Sequence, residues 1–292
     1  DAWGPTEDRE SLNVIDAALG AGVTFFDTAD VYGAGHSEEL LGQAMKGHRD
    51  RFIVATKIGW QNFDGENNRT AYGTVEKLIA GVESNLRRLQ TDYVDAIQSH
   101  INFRDPTMEI FLEGFQRLQR DGKVRAYGVS TSDFEYLKAF NVDGGCATLQ
   151  IDYSILNRTP EADIFPYCIE NGIGVIVRGP LAMGILTGKF GPDTQFVETD
   201  FRHRLGGAIL FQIGQPRQLG KQQRSSQETQ LLDRPVNRLR PETVVWRRFR
   251  LSHLPNQHPI STGGPIRPPI PAVLLFGYSS VVVIERKRRP IS

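Results

Sequence analysis

The sequence predicts an α/β fold, a (β/α)8 barrel of the TIM type, and three observations carry that expectation. Helix and strand signals alternate regularly from residue 8 to residue 190. Each readable strand runs out onto polar residues. No G-x-G-x-x-G turn follows the first strand. Alternation at this rate implies parallel strands joined by helical crossovers. A doubly wound sheet is the alternative, and it usually shows that glycine fingerprint in its first strand–helix turn. With 292 residues and 39% apolar content the chain has enough material to bury the core of one such barrel.

The elements follow in order. Asp8 caps a helix whose apolar face is Leu12, Ile15 and Leu19. A short apolar strand occupies 23–26. Ser37 caps the next helix, with Glu38 and Glu39 in its first turn, where carboxylates suit the helix dipole. The second strand is at 52–55. Val75, Leu78, Ile79, Val82, Leu86 and Leu89 then keep helical spacing. A strand at 93–97 precedes a helix lined by Phe111, Phe115 and Leu118, which Gly122 ends. Strands at 125–129, 147–150 and 174–177, with helices near 133–140 and 162–171, complete the series.

Net charge is zero, which gives the whole chain no electrostatic pull toward nucleic acid or membrane. That zero hides two unequal parts. Residues 1–203 hold 19 Lys and Arg against 30 Asp and Glu, whereas residues 204–292 hold 15 against 4. The second part is rich in Arg, Pro and Gln, and its prolines and glycines interrupt every helical pattern except one around 244–251. Two regions are therefore expected: a barrel body over 1–204 and an atypical segment over 205–292, mostly loop by composition. An abrupt charge reversal of this kind is what a disrupted reading frame produces. The basic run Arg286-Lys-Arg-Arg289 reads as a solvated terminus. The apolar run 272–284 is too short for a bilayer span, which needs roughly 20 residues. Cys146 and Cys168 read as buried thiols in a reducing compartment. With no secretory leader in the sequence as given, the expected location is the cytoplasm.

In a parallel barrel the C-terminal strand ends converge on one face, where active sites form. Following the six strands in turn are Asp27, Asp30 and Tyr32; Lys57; Gln98, Ser99 and His100; Ser130 and Thr131; Gln150 and Asp152; and Arg178. A phenol is a poor acid at neutral pH unless a cation beside it stabilises the phenolate. Lys57 fits that part, and Asp27 would hold the ammonium in place. A histidine alongside can hydrogen-bond a substrate oxygen. The set suits proton transfer at a carbonyl oxygen. It does not suit acyl transfer, since no Ser or Cys stands in an elbow motif. His36, His48 and His100 lack metal-ligand spacing, so no metal is expected. Taken singly these residues have plainer uses in turns and packing. Lys57 is the least plain, because burying a lysine demands a partner.

The stretch Gly22-Val-Thr-Phe-Phe-Asp27-Thr-Ala-Asp-Val-Tyr32-Gly, followed by Ser37-Glu-Glu-Leu-Leu-Gly42, resembles the signature of the aldo-keto reductases, in a bacterial-type form. Ala55-Thr-Lys57 resembles the family's lysine strand, and the run from Asp92 to His100 its histidine strand. The run Gly122 to Ser130, Gln150-Ile-Asp-Tyr, and Arg178 to Lys189 resemble its cofactor-side motifs. The resemblance implies NADPH-dependent reduction of an aldehyde or ketone, with Tyr32 as general acid, Lys57 and Asp27 as its tuning partners, and His100 orienting the carbonyl. It implies that Ser130 and Gln150 bind the nicotinamide carboxamide. Arg178 stands where the family usually has a stacking aromatic. Gly179, Pro180, Leu181, Gly184 and Lys189 match the loop over the pyrophosphate. Thr131 stands where many members have Asn.

Against the family pattern, the first barrel strand is missing, the last is not recognisable, and the adenosine-phosphate segment that would set NADP against NAD cannot be read. The chain is expected to be an N-terminally truncated member, and the barrel incomplete. The expected partner is a small carbonyl compound, with no nucleic acid or membrane. Alternatives are a regulatory subunit that keeps the cofactor, and an inactive fragment. Trp60 and Phe63 are candidate apolar walls for the substrate.

Overall fold

The computed structural model describes residues 7–63, 69–100, 107–190, 194–196, 198, 200–204, 273–275 and 282–284. The chain runs α1 (Asp8–Gly20), β1 (Phe25–Asp27), α2 (His36–Met45), β2 (Ile53–Ile58), β3 (Asn62–Phe63), β4 (Arg69–Thr70), α3 (Val75–Arg88) and β5 (Ala96–Ser99). It continues α4 (Thr107–Arg120), β6 (Tyr127–Ser130), α5 (Phe134–Phe140), β7 (Thr148–Asp152), α6 (Ile164–Asn171), β8 (Gly174–Arg178), α7 (Phe201–Arg204), β9 (Val273–Leu275) and β10 (Val282–Ile284).

Six strands pair in parallel in the order β8-β7-β6-β5-β2-β1. Two hydrogen bonds show that this sheet curls. Flat, β7 and β1 would lie four strand spacings apart, roughly 19 Å. Yet Gln150 of β7 donates through Nε2 to Asp27 Oδ1 of β1 at 3.0 Å. Likewise Gln98 of β5 reaches Thr148 of β7 at 3.0 Å, past the intervening β6. The inner faces therefore meet across a lumen, as in a barrel that is incomplete. Outside it, the helices bury Ile15, Leu41, Leu78, Phe111, Phe115 and Leu137 against the strands. The N-cap threonine Thr74 accepts from the Lys77 amide and starts α3, while Gly172 in left-handed conformation ends α6.

The structure departs from the sequence-based expectation in three places. First, the strands reach further than the apolar runs: Lys57, Gln98, Ser99, Ser130, Asp152 and Arg178 lie within strands, not after them. A polar side chain facing the lumen leaves the backbone ladder intact, so the ladder outlasts the apolar signal. Second, Ser37 does not cap α2. Gly35, at φ 95°, takes the N-cap position, and Ser37 Oγ pairs with Thr28 Oγ1 at 2.9 Å. Asp8 similarly lies inside the first turn of α1, after Glu7.

Third, the segment expected to be mostly loop, with a doubtful last strand, supplies two short strands. β9 pairs in parallel with β1, and β10 pairs antiparallel with β8. An open sheet edge leaves backbone N–H and C=O groups without partners, and the apolar run 272–284 satisfies three residues of each edge. The helix expected around 244–251 and the basic run 286–289 lie outside the described residues. Cys146 and Cys168 are buried free thiols, as expected. Among the described residues, no helix is long and apolar enough to cross a membrane.

Candidate active site

Beyond Asp27 the chain stays hydrogen-bonded to β2. Thr28 N donates to Ala55 O at 2.9 Å and Asp30 N to Lys57 O at 3.1 Å. It then makes the tight turn Tyr32–Gly35, in which Gly33, Ala34 and Gly35 all have positive φ. This places Tyr32 over the end of β2 and its lysine.

Lys57 is fully buried. Its ammonium has three donors and spends them on three oxygens: Asp27 Oδ2 at 2.5 Å, the Thr28 carbonyl at 2.9 Å and Tyr32 Oη at 3.4 Å. Burial works against the lysine charge. The Asp27 carboxylate and the Tyr32 oxygen outweigh it, and hold the Lys57 pKa above the ordinary value. The other Asp27 oxygen accepts from Gln150. His100 is tied by its backbone N–H to the Ile58 carbonyl at 2.9 Å. Its ring stands edge-on to Tyr32, with centroids 5.7 Å apart. Burial lowers the His100 pKa, helped by the charge of Lys57, while Asp30, 3.9 Å from Nδ1, opposes the shift. Its surroundings therefore favour the neutral ring. The four residues expected to do the chemistry thus stand together at the C-terminal strand ends.

Ser130 and Gln150 are paired neighbours across β6 and β7. Gln150 already spends one amide hydrogen on Asp27, so it ties β7 to β1. Arg178 ends β8 beside Asp152, with its side chain exposed. Gly179 follows at φ 70°, where an added Cβ would lie 2.9 Å from Asp152 Oδ1. Pro180, exposed Leu181 and Gly184, at φ 94°, form the turn that follows. Its closing bonds run from Ala182 N to Gly179 O at 2.8 Å and from Gly184 N to Leu181 O at 3.0 Å. Lys189 is exposed at its end, and Arg202 of α7 holds the Met183 carbonyl at 3.2 Å. Thr131 serves the local backbone instead, with its Oγ1 accepting from Asp133 N at 3.0 Å at the start of α5.

Amide and hydroxyl groups at the lumen, then a turn flanked by Arg178 and Lys189, make a donor set that fits an amide-bearing ring joined to an anionic group. Gln98 Oε1 is buried and has no hydrogen-bond partner among the described residues.

Sequence reasoning missed Glu38. It is completely buried, not a solvated first-turn carboxylate. It accepts from Thr56 Oγ1 at 2.5 Å and from Arg88 Nε at 2.7 Å. The usable signal was spacing, since Glu38, Leu41, Gly42 and Met45 share one helix face and all are buried. Of the candidate walls, Trp60 is half-buried, and the Phe63 side chain lies outside what is described.

Residues 1–240 match the model of the aldo/keto reductase family. The chain is 37% identical over 207 residues to the aldo-keto reductase YhdN of Bacillus subtilis (strain 168), covering 69% of this chain and 61% of that protein. The chain thus spans about six tenths of the length of that curated relative. Among solved structures, the holo form of aldo-keto reductase AKR11C1 from Bacillus halodurans superposes with a TM-score of 0.62 at 31% identity, covering 74% of this chain and 71% of that one. An aldo-keto reductase from Klebsiella pneumoniae in complex with NADPH gives 0.55 at 29% identity, covering 63% of each. By family match, topology and the order of its strand-end residues, the chain belongs to the aldo/keto reductase family.

Proposed function

We propose that the chain reduces aldehydes or ketones to alcohols with NADPH, and that Tyr32 is the general acid. The observation that carries this reading is the contact of Tyr32 Oη with the buried, carboxylate-held ammonium of Lys57 at 3.4 Å. The bound nicotinamide would supply the hydride for the carbonyl carbon. The chain's own residues do the rest. Tyr32 Oη gives its proton to the carbonyl oxygen, and the Lys57 charge stabilises the phenolate left behind. Asp27 keeps that ammonium charged and in place. His100, whose surroundings favour the neutral ring, donates a ring N–H to the carbonyl oxygen and fixes its direction.

Ser130 and Gln150 would hold the carboxamide, and Arg178 would cover the ring with its planar guanidinium. Gly179, Pro180, Leu181, Gly184 and Lys189 would fold over the pyrophosphate. The NADPH complex of the Klebsiella relative supports the choice of cofactor. In the same reading residues 1–204 form the catalytic body, 205–292 form the distinct terminal segment, and the protein works in the cytoplasm.

The test is NADPH absorbance loss with purified full-length chain and an activated aromatic aldehyde, beside Tyr32→Phe. Turnover should fall by about 100-fold or more in the variant, within the range for a lost general acid. Equal turnover by the two proteins would sink the assignment of Tyr32, and none from folded parent would sink the reductase reading.

A further inference from the structure

Two helices outside the barrel converge on the underside of the Tyr32 turn, and an ion pair between partly exposed Arg88 and fully buried Glu38 joins them. Arg88 Nε of α3 donates to Glu38 Oε2 of α2 at 2.7 Å, and Nη2 lies 2.7 Å from the same oxygen. Its stem lies directly beneath the turn: a Cβ added at Gly35 would meet Arg88 Cδ at 2.6 Å. The same guanidinium donates to Asn85 Oδ1 at 2.7 Å, and Asn85 Nδ2 donates to the Lys57 carbonyl at 3.3 Å. The other Glu38 oxygen takes the hydroxyl of Thr56, the residue before Lys57. Gly42 lets α2 and α3 close together, since a Cβ there would meet the Arg88 carbonyl at 2.6 Å. Three of these contacts reach the turn that carries Tyr32 or the strand that carries Lys57: Arg88 against Gly35, Asn85 on the Lys57 carbonyl, and Thr56 on Glu38.

We propose that Glu38 and Arg88 are positioning residues, a buried buttress that sets the Tyr32–Lys57 contact without touching substrate or cofactor. This rests on the proposed reductase reading for its kinetic consequence, though not for its geometry. Removing the Glu38 charge leaves Arg88 beneath the turn without its counter-ion, and the turn shifts away from Lys57. Small displacements at a reacting group cost rate far more than affinity. Burial pushes Glu38 up to about 7, against the charge of Arg88 and the Thr56 hydrogen bond. The charged groups facing it are Arg88 from α3 and Asp30 from the loop after β1, while β2 offers only the neutral Thr56. The pair therefore forms as pH rises through neutrality.

The experiment compares full-length parent, Glu38→Gln, Glu38→Asp and Asp95→Asn. Asp95→Asn cuts another buried ion pair, at the opposite end of the strands. Carbonyl reduction gives kcat and KM against pH. Ultraviolet difference titration against Tyr32→Phe in each background reads the Tyr32 phenol without any turnover. Glu38→Gln should lower kcat about tenfold with KM changed less than about twofold. It should also lose the parent's rise in kcat around neutral pH, and move the phenol titration by about half a unit or more. Glu38→Asp should recover part of each, and Asp95→Asn should lower stability alone. If Glu38→Gln does not fold, Arg88→Lys takes its place, with the same expected loss. An unmoved phenol titration in Glu38→Gln, or an equal movement in Asp95→Asn, overturns the buttress. A parent without turnover counts against the reductase reading alone, because the phenol titration still tests the buttress.

Discussion

The two ends of the barrel hold nearly the same inventory, a buried aspartate, cations and a tyrosine, arranged to opposite effect. At the N-terminal strand ends Asp95 takes Arg49 at 2.8 Å, Arg125 at 2.9 Å and the Val54 amide at 2.9 Å. The two guanidiniums lie over the Tyr93 ring, 4.2 and 4.0 Å from its centroid. At the C-terminal ends Asp27 takes one lysine and one amide, and the lysine reaches the hydroxyl of Tyr32 rather than its face alone. Arginine is always charged and its planar fork suits bracing and stacking. Lysine is a compact point charge that can serve one oxygen atom. The same residue classes brace when the cations lie on the tyrosine ring, and form the geometry proposed for proton transfer when a lysine meets its oxygen.

Three substitutions and one titration test that contrast. The largest effect is expected at the braced end. Asp95→Asn leaves two guanidiniums without their carboxylate and should cost about 3 kcal/mol in urea unfolding, while the rate per folded molecule is kept. A loss of rate with no loss of stability would mean the ends are not separate in function. Next, Lys57→Arg gives the chemical end the other end's cation. Its kcat should fall about 100-fold, because the fork cannot serve Asp27, the Thr28 carbonyl and Tyr32 Oη from one point. Arg49→Lys should leave kcat alone. Full activity in Lys57→Arg would show that cation shape is not what distinguishes the two ends.

The smallest effect is a titration. Burial lowers the His100 pKa below 6.5, so the folded chain binds its proton less readily than the unfolded chain does. His100 therefore subtracts stability as pH falls from 6.5 through its folded value, and nothing above that window. Proton NMR of its ring should show a midpoint below 6.5. A midpoint above it would make the ring cationic near neutrality and reverse its role toward Asp30.

Much of the fold was legible because barrel packing writes itself into the sequence as apolar runs at fixed spacing. Val54, Ile97, Val129, Leu149 and Val175 are buried where those runs stood. The strand-end residues were legible because a lysine or aspartate beside such a run has to point somewhere it can be paired. Glu38 was missed because its first-turn position suggested a solvated carboxylate, although its spacing with Leu41 and Met45 put it on the buried face. Ser37 read as a cap because serine usually is one, and the neighbouring Gly35 took the position with a backbone angle that a serine would resist.

Local pattern and residue type were enough to read the alternation of helices and strands, the polar residues near the strand ends, and the family to which those residues point. The tertiary structure alone decided that Gln150 meets Asp27 across the lumen, that Glu38 sits buried against Arg88, and that 273–275 and 282–284 line the two sheet edges. Those contacts join residues far apart in the chain. The Gln150–Asp27 contact exists only once the sheet has curled, and curling is a property of the whole set of strands that no single segment carries.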